Sequence, residues 1–352
     1  MMEPRKIQRV GKSTLTVSLP SEWTNEYGID KGDHVYLSES GNGAVTVYPS
    51  MMGTILDSGV RIDADDLSAT AIERSVVGSY VLGRNRIIVE SSEGLTDDKI
   101  SALYEAESQL IGAGIVEEGG GKVVLRCSIN HDGFSVNELL SRLDSTGRTM
   151  RKETVEALAE GDVSLSERAA KRETQANKVF VLVLRLVLTA QQNPMLVERI
   201  GLKSPLHLIG TRAAAKSFER LADYAEEAAN YATAVLEEGW VAGEANDEFI
   251  DGLSELVSLT DTTCERALSS LEEGEVEAAA EARESFVRAK EVESELTRRI
   301  FETEEDPKRL TTLNQLVSAL VESSKEAIDV AEVGANRALE TSSESFSIER
   351  GN

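Results

Sequence analysis

Cysteine is scarce. Only Cys127 and Cys264 occur in 352 residues, far apart and in no CxxC pair. That spacing excludes a disulfide framework or a thiolate zinc site, and both thiols are expected to be buried in a reducing compartment. Aromatics make up 5% of the chain and proline occurs six times, a composition that suits alanine- and leucine-rich helices. Positive charge is also short, with 37 basic against 62 acidic side chains for a net charge of -25. Such a chain repels nucleic acid as a whole, so any DNA contact must come from a local basic patch. The acidity suits either a high-salt, halophilic cytoplasm, where charges are strongly screened, or an ordinary acidic protein. No basic-then-apolar segment opens the chain. The most apolar stretch, Val179 to Ala190, is interrupted by Arg185 and is too short to span a bilayer, so no membrane insertion and a cytoplasmic location are expected. Phosphate loops, GxGxxG, HExxH, a Ser-His-Asp set and a paired-carboxylate cleft are all missing, and no enzyme is expected.

What is present begins with alternation. In VGKSTLTVSLP, Leu15, Val17 and Leu19 share one face and Thr14, Thr16 and Ser18 the other, the pattern of a half-buried strand stopped by Pro20. Ser21 is placed to cap a helical turn carrying Trp23 and Tyr27, with Gly28 to end it. Val35 and Leu37, then Val45 and Val47, alternate on either side of a Gly41-Asn42-Gly43 turn. Four short strands and one turn of helix bury too little surface to stand alone, which predicts a dimer.

The run RKIQRVGKSTLTVSLPSEWTNEYGIDKGDHVYL resembles the SpoVT/AbrB, MazE-like swapped-hairpin family over residues 4 to 49. Its marks are a basic strand, a G-x-S/T turn, LP-x-x-W, and GI-x-KGD-x-V before the second hairpin. The resemblance implies that two chains interleave hairpins into one β-barrel, and that basic side chains near the first strand meet DNA. The matching positions are Arg5, Lys6, Arg9 and Lys12. Lysine and arginine at this density neutralise phosphates, and arginine also reads guanine edges. The competing reading is that these charges solvate an edge strand. Toxin binding is another use of the fold, and the long C-terminal body argues against a simple antitoxin.

Residues 68–83 and 95–112 read as amphipathic helices, and 85–90, 112–117 and 122–127 as strands, the last two around a Gly119-Gly120-Gly121 hairpin tip. This small α/β connector is assigned a structural and oligomerising role. From about Ser135 to Ser343, leucine, valine and alanine recur at helical spacing. The breaks predict six helices near 135–160, 164–191, 206–237, 247–272, 275–303 and 310–341. The two sets of three echo each other: LAEGDVSLSERA at 158–169 against LEEGEVEAAAEA at 271–282, and DYAEEAANYA from Asp223 against DVAEVGANRA from Asp329.

With FERLADYAEEAA at 218–229 and KRETQANKV at 171–179, this body resembles PhoU, and YVLGRNRIIVESS and LIGAGIVEEG resemble the connector of archaeal AbrB–PhoU fusions. The fold expected is therefore multidomain and mainly α. It has an AbrB-like DNA-binding and dimerisation domain at 1–50, an α/β connector at 51–130, PhoU-like three-helix bundles at 131–240 and 241–345, and a tail at 346–352. The resemblance implies a DNA-binding, negative transcriptional regulator of phosphate uptake and homeostasis. Its expected partners are the promoters of phosphate-transport genes, a second copy of the chain or a higher oligomer, and a phosphate transporter or its signalling proteins. The alternative is an adaptor that restrains a phosphate ABC transporter without touching DNA. The resemblance also implies that ExxxD pairs on adjacent helices gather a divalent or iron-type metal ion. In the first bundle the pairs are Glu173 with Asn177 and Glu219 with Asp223, where Asn177 replaces an expected Asp and loses a charge. In the second bundle, Ala289 and Glu293 face a helix where Lys325 stands before Asp329, so Glu293 and Asp329 make a poorer set; Glu322 and Glu326 offer another register. A chain with 62 acids also produces such pairs by chance on solvated faces. His131 and His207 read as cap or surface residues and His34 as structural.

Overall fold

The structure, a computed structural model, describes residues 4–12, 14–39, 43–49, 59–130, 133–240, 244–302 and 306–341. The boundary drawn at residue 50, the tail at 346–352, His131 and Gly41-Asn42 lie outside them. The chain is mainly helical and multidomain, and it divides into two compact units, Met1–Ser58 and Gly59–Asn352.

In the first unit, β1 (Gln8–Val10) and β2 (Thr14–Thr16) form an antiparallel hairpin, and β3 (Tyr36–Glu39) and β4 (Val45–Tyr48) form another. The two hairpins do not pair with each other, so they form separate two-stranded sheets. Between them lies the short helix α1 (Ser21–Glu26). Ser21 does not cap it: Pro20 holds the cap position with no side-chain bond, and the hydroxyl of Thr24 donates to the Ser21 carbonyl instead. The alternation is real, but much of its apolar face is exposed in the single chain, with Leu19, Val35 and Val47 only partly buried. Leu15 is 60% exposed and Leu37 68%, so the expected half-burial of the first strand is not met within one copy.

The second unit starts with a sheet of order β5-β6-β8-β7, built from β5 (Val60–Asp63), β6 (Arg86–Glu90), β7 (Ala113–Gly119) and β8 (Lys122–Cys127). β5 was not legible as a strand; it runs parallel to β6, and the other pairs are antiparallel. Gly119, Gly120 and Gly121 all take positive φ between β7 and β8, the hairpin tip expected of three glycines. Helices α2 (Ala69–Val81) and α3 (Asp97–Ser108) close this layer over Ile72, Val76, Tyr80, Leu103 and the strand valines.

The helical body consists of α4 (Val136–Glu160), α5 (Val163–Ala170), α6 (Glu173–Gln192), α7 (Leu196–Arg199), α8 (His207–Glu237), α9 (Glu244–Glu273), α10 (Val276–Glu302) and α11 (Pro307–Thr341). The single helix expected at 164–191 is broken at Lys171-Arg172. There the N–H groups of Arg172 and Gln175 reach carbonyls three residues back, and Arg172 turns to a bidentate pair with Glu153 at 2.7 Å. A three-residue bond tightens the helix and misdirects the next turn. One hydrophobic core runs through both helix sets, from Val155 and Leu158 through Val235 and Leu256 to Leu316 and Leu320. Trp240, at the join, donates its indole N–H to the Leu158 carbonyl and packs edge-on to Phe249.

α8 and α11, the third helices of the two sets, pack antiparallel. Gly210 lies against Val333, the Ser323 hydroxyl donates to the Leu221 carbonyl, and Arg337 donates to Thr211 at 2.6 Å. Arg220 pairs with Glu326 at 3.1 Å. Each of these two residues lies three positions before the aspartate of its own repeat, so the pair marks the point where the worn repeat meets itself. Gly334 approaches the backbone of Ser270 and Leu271 so closely that a Cβ would come within 2.6 Å of the Leu271 nitrogen.

The connector is tied to this body by Arg185. That side chain, 1% exposed, lies under α2 and donates to the carbonyls of Tyr80, Gly83 and Arg84 and to the side-chain oxygen of Asn85, while its guanidinium stacks on the Tyr80 ring. It fills the carbonyl-rich end of α2 with positive charge, where the helix dipole favours it. Val181 and Phe180 of α6 join the connector core beside it. Replacement by Ala strands buried carbonyls, and chemical denaturation should show a loss of at least about 3 kcal/mol. Arg185→Lys should recover little of that, because one ammonium cannot span four acceptors; a wild-type midpoint for the Lys variant would overturn this account of the tie.

Candidate functional sites

The first site lies on the N-terminal unit. Gly11 turns at φ +71° so that β2 returns beside β1, with Arg9 opposite Leu15 and Gln8 opposite Thr16. Arg5 and Lys6 lead into β1, Arg9 lies within it and Lys12 on the turn; all four side chains are exposed. The structure therefore gathers the predicted basic residues on one hairpin and its approach. Farther along, Asp33 accepts the Asp30 N–H at 2.7 Å, which closes the KGD turn, with Gly32 at φ +107°. His34 is exposed rather than packed.

The second site lies between α6 and α8. Glu173, in the first turn of α6, faces Glu219, Asp223 and Glu226 of α8, which follow one another at helical spacing. Burial, then the charges of Glu226, Asp223 and Glu219, holds the Glu173 carboxyl above the usual range. Burial and then Glu219 push Asp223 up to about 6, against the opposing pull of Lys216. Burial, then Glu227, raises Glu226. Lys216 pairs with Glu219 and rests 5.3 Å from the centre of the Phe180 ring. Asn177 is half-buried one turn along α6 from Glu173. Among the described residues, no three His, Cys, Asp or Glu side chains are already arranged to hold a metal ion. The geometry is that of crowded carboxylates with raised proton affinity, one of them already engaged by a lysine. Glu226 was missed from the sequence, though its spacing of three from Asp223 was the available signal.

In the second helix set three of the candidate acids are paired with bases. Glu293 pairs with Lys290, Lys325 with Glu322 at 3.0 Å, and Glu326 with Arg220. Asp329 adds its charge beside Arg220 and Glu326, and Ala289 is buried. Glu293 and Asp329 thus each face basic or paired groups. His207 is buried at the start of α8, not on the surface, and its carbonyl accepts from Arg337. Both thiols are buried as expected; burial drives Cys264 up to about 12 and raises Cys127. No helix among the described residues is long and apolar enough to cross a membrane.

Residues 8–54 match the family described as antidote-toxin recognition MazE, bacterial antitoxin. Residues 140–232, which span α4 to most of α8, match the PhoU domain. Among solved structures, the crystal structure of PhoU from Pseudomonas aeruginosa is similar at 18% identity, over 58% of this chain and 96% of that one, with a TM-score of 0.48. No curated protein matches the chain. The chain thus joins a segment that matches the MazE model near its start to one that matches the PhoU domain model in its first set of helices.

Proposed function

We propose that this chain regulates phosphate homeostasis, and that it does so as a homodimer that binds promoter DNA through its first unit and restrains phosphate-uptake genes. The PhoU match supports the phosphate reading and the MazE match supports a DNA-binding unit. The observation that carries the DNA reading is the exposed set Arg5, Lys6, Arg9 and Lys12 on one hairpin of a chain whose net charge is -25. The exposed Leu15 and Val17 of the first hairpin and Leu37 and Val45 of the second favour a second copy as their cover. The same exposure supports the second reading, an adaptor for a phosphate transporter whose first unit only dimerises. The proposed regulator works without catalysis, from a cytoplasmic position.

A salt titration of the full chain on DNA from upstream of its own gene tests this. Replacing the four basic residues by Ala should weaken binding and lower the slope of log affinity against log salt by about 0.9 per lost phosphate contact. Equal affinity and equal slope for wild type and variant would leave the adaptor reading in place.

We also propose that the α6–α8 carboxylates, with Asn177, take a divalent or iron-type cation that displaces Lys216 from Glu219. Asp223 gives the signed test. Its folded value of about 6 lies above the ordinary aspartate value of 3.8, so its contribution to stability is present below that lower value and is lost as pH rises through about 6. The thermal midpoint of wild type should therefore fall across this window relative to Asp223→Asn. Added cation at neutral pH should raise the wild-type midpoint and not that of the variant. Parallel pH curves, or an equal cation effect on both, would contradict the site.

A further inference from the structure

The α4–α6 groove is anomalous for so acidic a chain. A cavity of about 310 Å³ opens there, lined by Arg142, Ser145, Thr146 and Thr149 of α4 and by Arg172 and Gln175 at the start of α6. No carboxylate among the described residues lines it, although acids outnumber bases 62 to 37 overall. Two other cavities do carry acids: Glu272 and Glu273 in one, and Glu248, Asp251, Glu255 and Glu295 in the other. Arg142 is exposed and forms no ion pair among the described residues, though Glu138 is one turn away on the same helix. Arg172 commits Nε and Nη2 to Glu153, which leaves Nη1. Thr146 and Thr149 return their hydroxyl protons to the carbonyls of Arg142 and Ser145, so their side chains are held in place; Ser145 and Gln175 have no such partner among the described residues. The positive end of α6 is beside them, with Arg172 at its cap position.

We infer that this groove binds a tetrahedral oxyanion, a phosphate or the phosphoryl group of a small ester, held by Arg142 and Arg172 with Ser145 and Gln175 completing its hydrogen bonds. Planar guanidinium groups match such an anion with paired charge-assisted bonds, and hydroxyl and amide donors satisfy the remaining oxygens. None of its lining residues belongs to the Glu173, Glu219, Asp223 and Glu226 cluster. The break at Lys171-Arg172 is what brings Arg172 to the cavity, since it starts α6 afresh beside α4. The inference rests on the phosphate reading only for the choice of anion.

The test is calorimetric titration of the full-length chain at low ionic strength with inorganic phosphate, glycerol phosphate and chloride. Phosphate or the ester should bind saturably at one site per chain, chloride should not, and the tighter of the two phosphates identifies the source. Arg142→Ala should weaken that binding by about tenfold or more, with the thermal midpoint unchanged because the side chain is exposed, and Arg142→Lys should recover part of it. No saturable binding of either phosphate, or wild-type affinity in Arg142→Ala, overturns the site. Either result leaves the DNA reading standing, since that is decided by Arg5, Lys6, Arg9 and Lys12 in the salt titration.

Discussion

Buried guanidinium groups hold the second unit together. Arg151 is fully buried and binds Asp261 at 2.6 Å, which joins α4 of the first helix set to α9 of the second. Arg185 joins α6 to the connector, and Arg337 joins α11 to the start of α8 and the end of α9. Each charge is removed from water at a cost; several oxygens surround Arg185 and Arg337, whereas Arg151 meets one carboxylate oxygen of Asp261 and the Cys264 sulfur. An apolar side chain of similar size could fill the same volume but could not demand one arrangement of acceptors, so these arginines fix how the layers meet as well as how tightly. Arg148 extends the first of them, bridging to Asp144 at 3.0 Å and reaching toward Glu265.

The same scarcity of bases shapes the surface. With 37 lysines and arginines to serve both interior ties and surface contacts, a cluster such as Arg5, Lys6, Arg9 and Lys12, or a carboxylate-free groove such as that of Arg142 and Arg172, stands out against an acidic background. The α6 helix bears on three of these features. Its first turn supplies Glu173 to the carboxylate cluster and Gln175 to the groove, while Arg185 farther along grips the connector. The connector tie and both candidate sites therefore share one helix.

Periodicity made the elements legible. The two hairpins, the glycine tip, α2, α3 and the long helices all follow from alternation, helical spacing and the places where Gly and Pro interrupt them. β5 escaped because Val60-Arg61-Ile62-Asp63 is too short for alternation to separate it from its surroundings. The break at Arg172 escaped because no Gly or Pro marks it; its cause is a pairing with Glu153, nineteen residues away in sequence. Of the candidate sites, the basic hairpin and the four positions on α6 and α8 were read from motifs, whereas Glu226 and Lys216 entered only through packing. Arg185 looked like a mere interruption of an apolar run. Its role, like that of the α4–α6 groove, depends on which helices become neighbours, and a linear pattern does not carry that information.

The connector and both helix sets behave as one body because buried arginines tie them. Native-state hydrogen exchange on the full chain measures this directly. The amides of β6, of the last turn of α2 and of the middle of α6 should open together, with one free energy and one denaturant dependence, in the global unfolding of the second unit. If β6 and α2 open at a distinctly lower free energy while α6 and α8 stay protected, the connector is a separate foldon and the account is wrong.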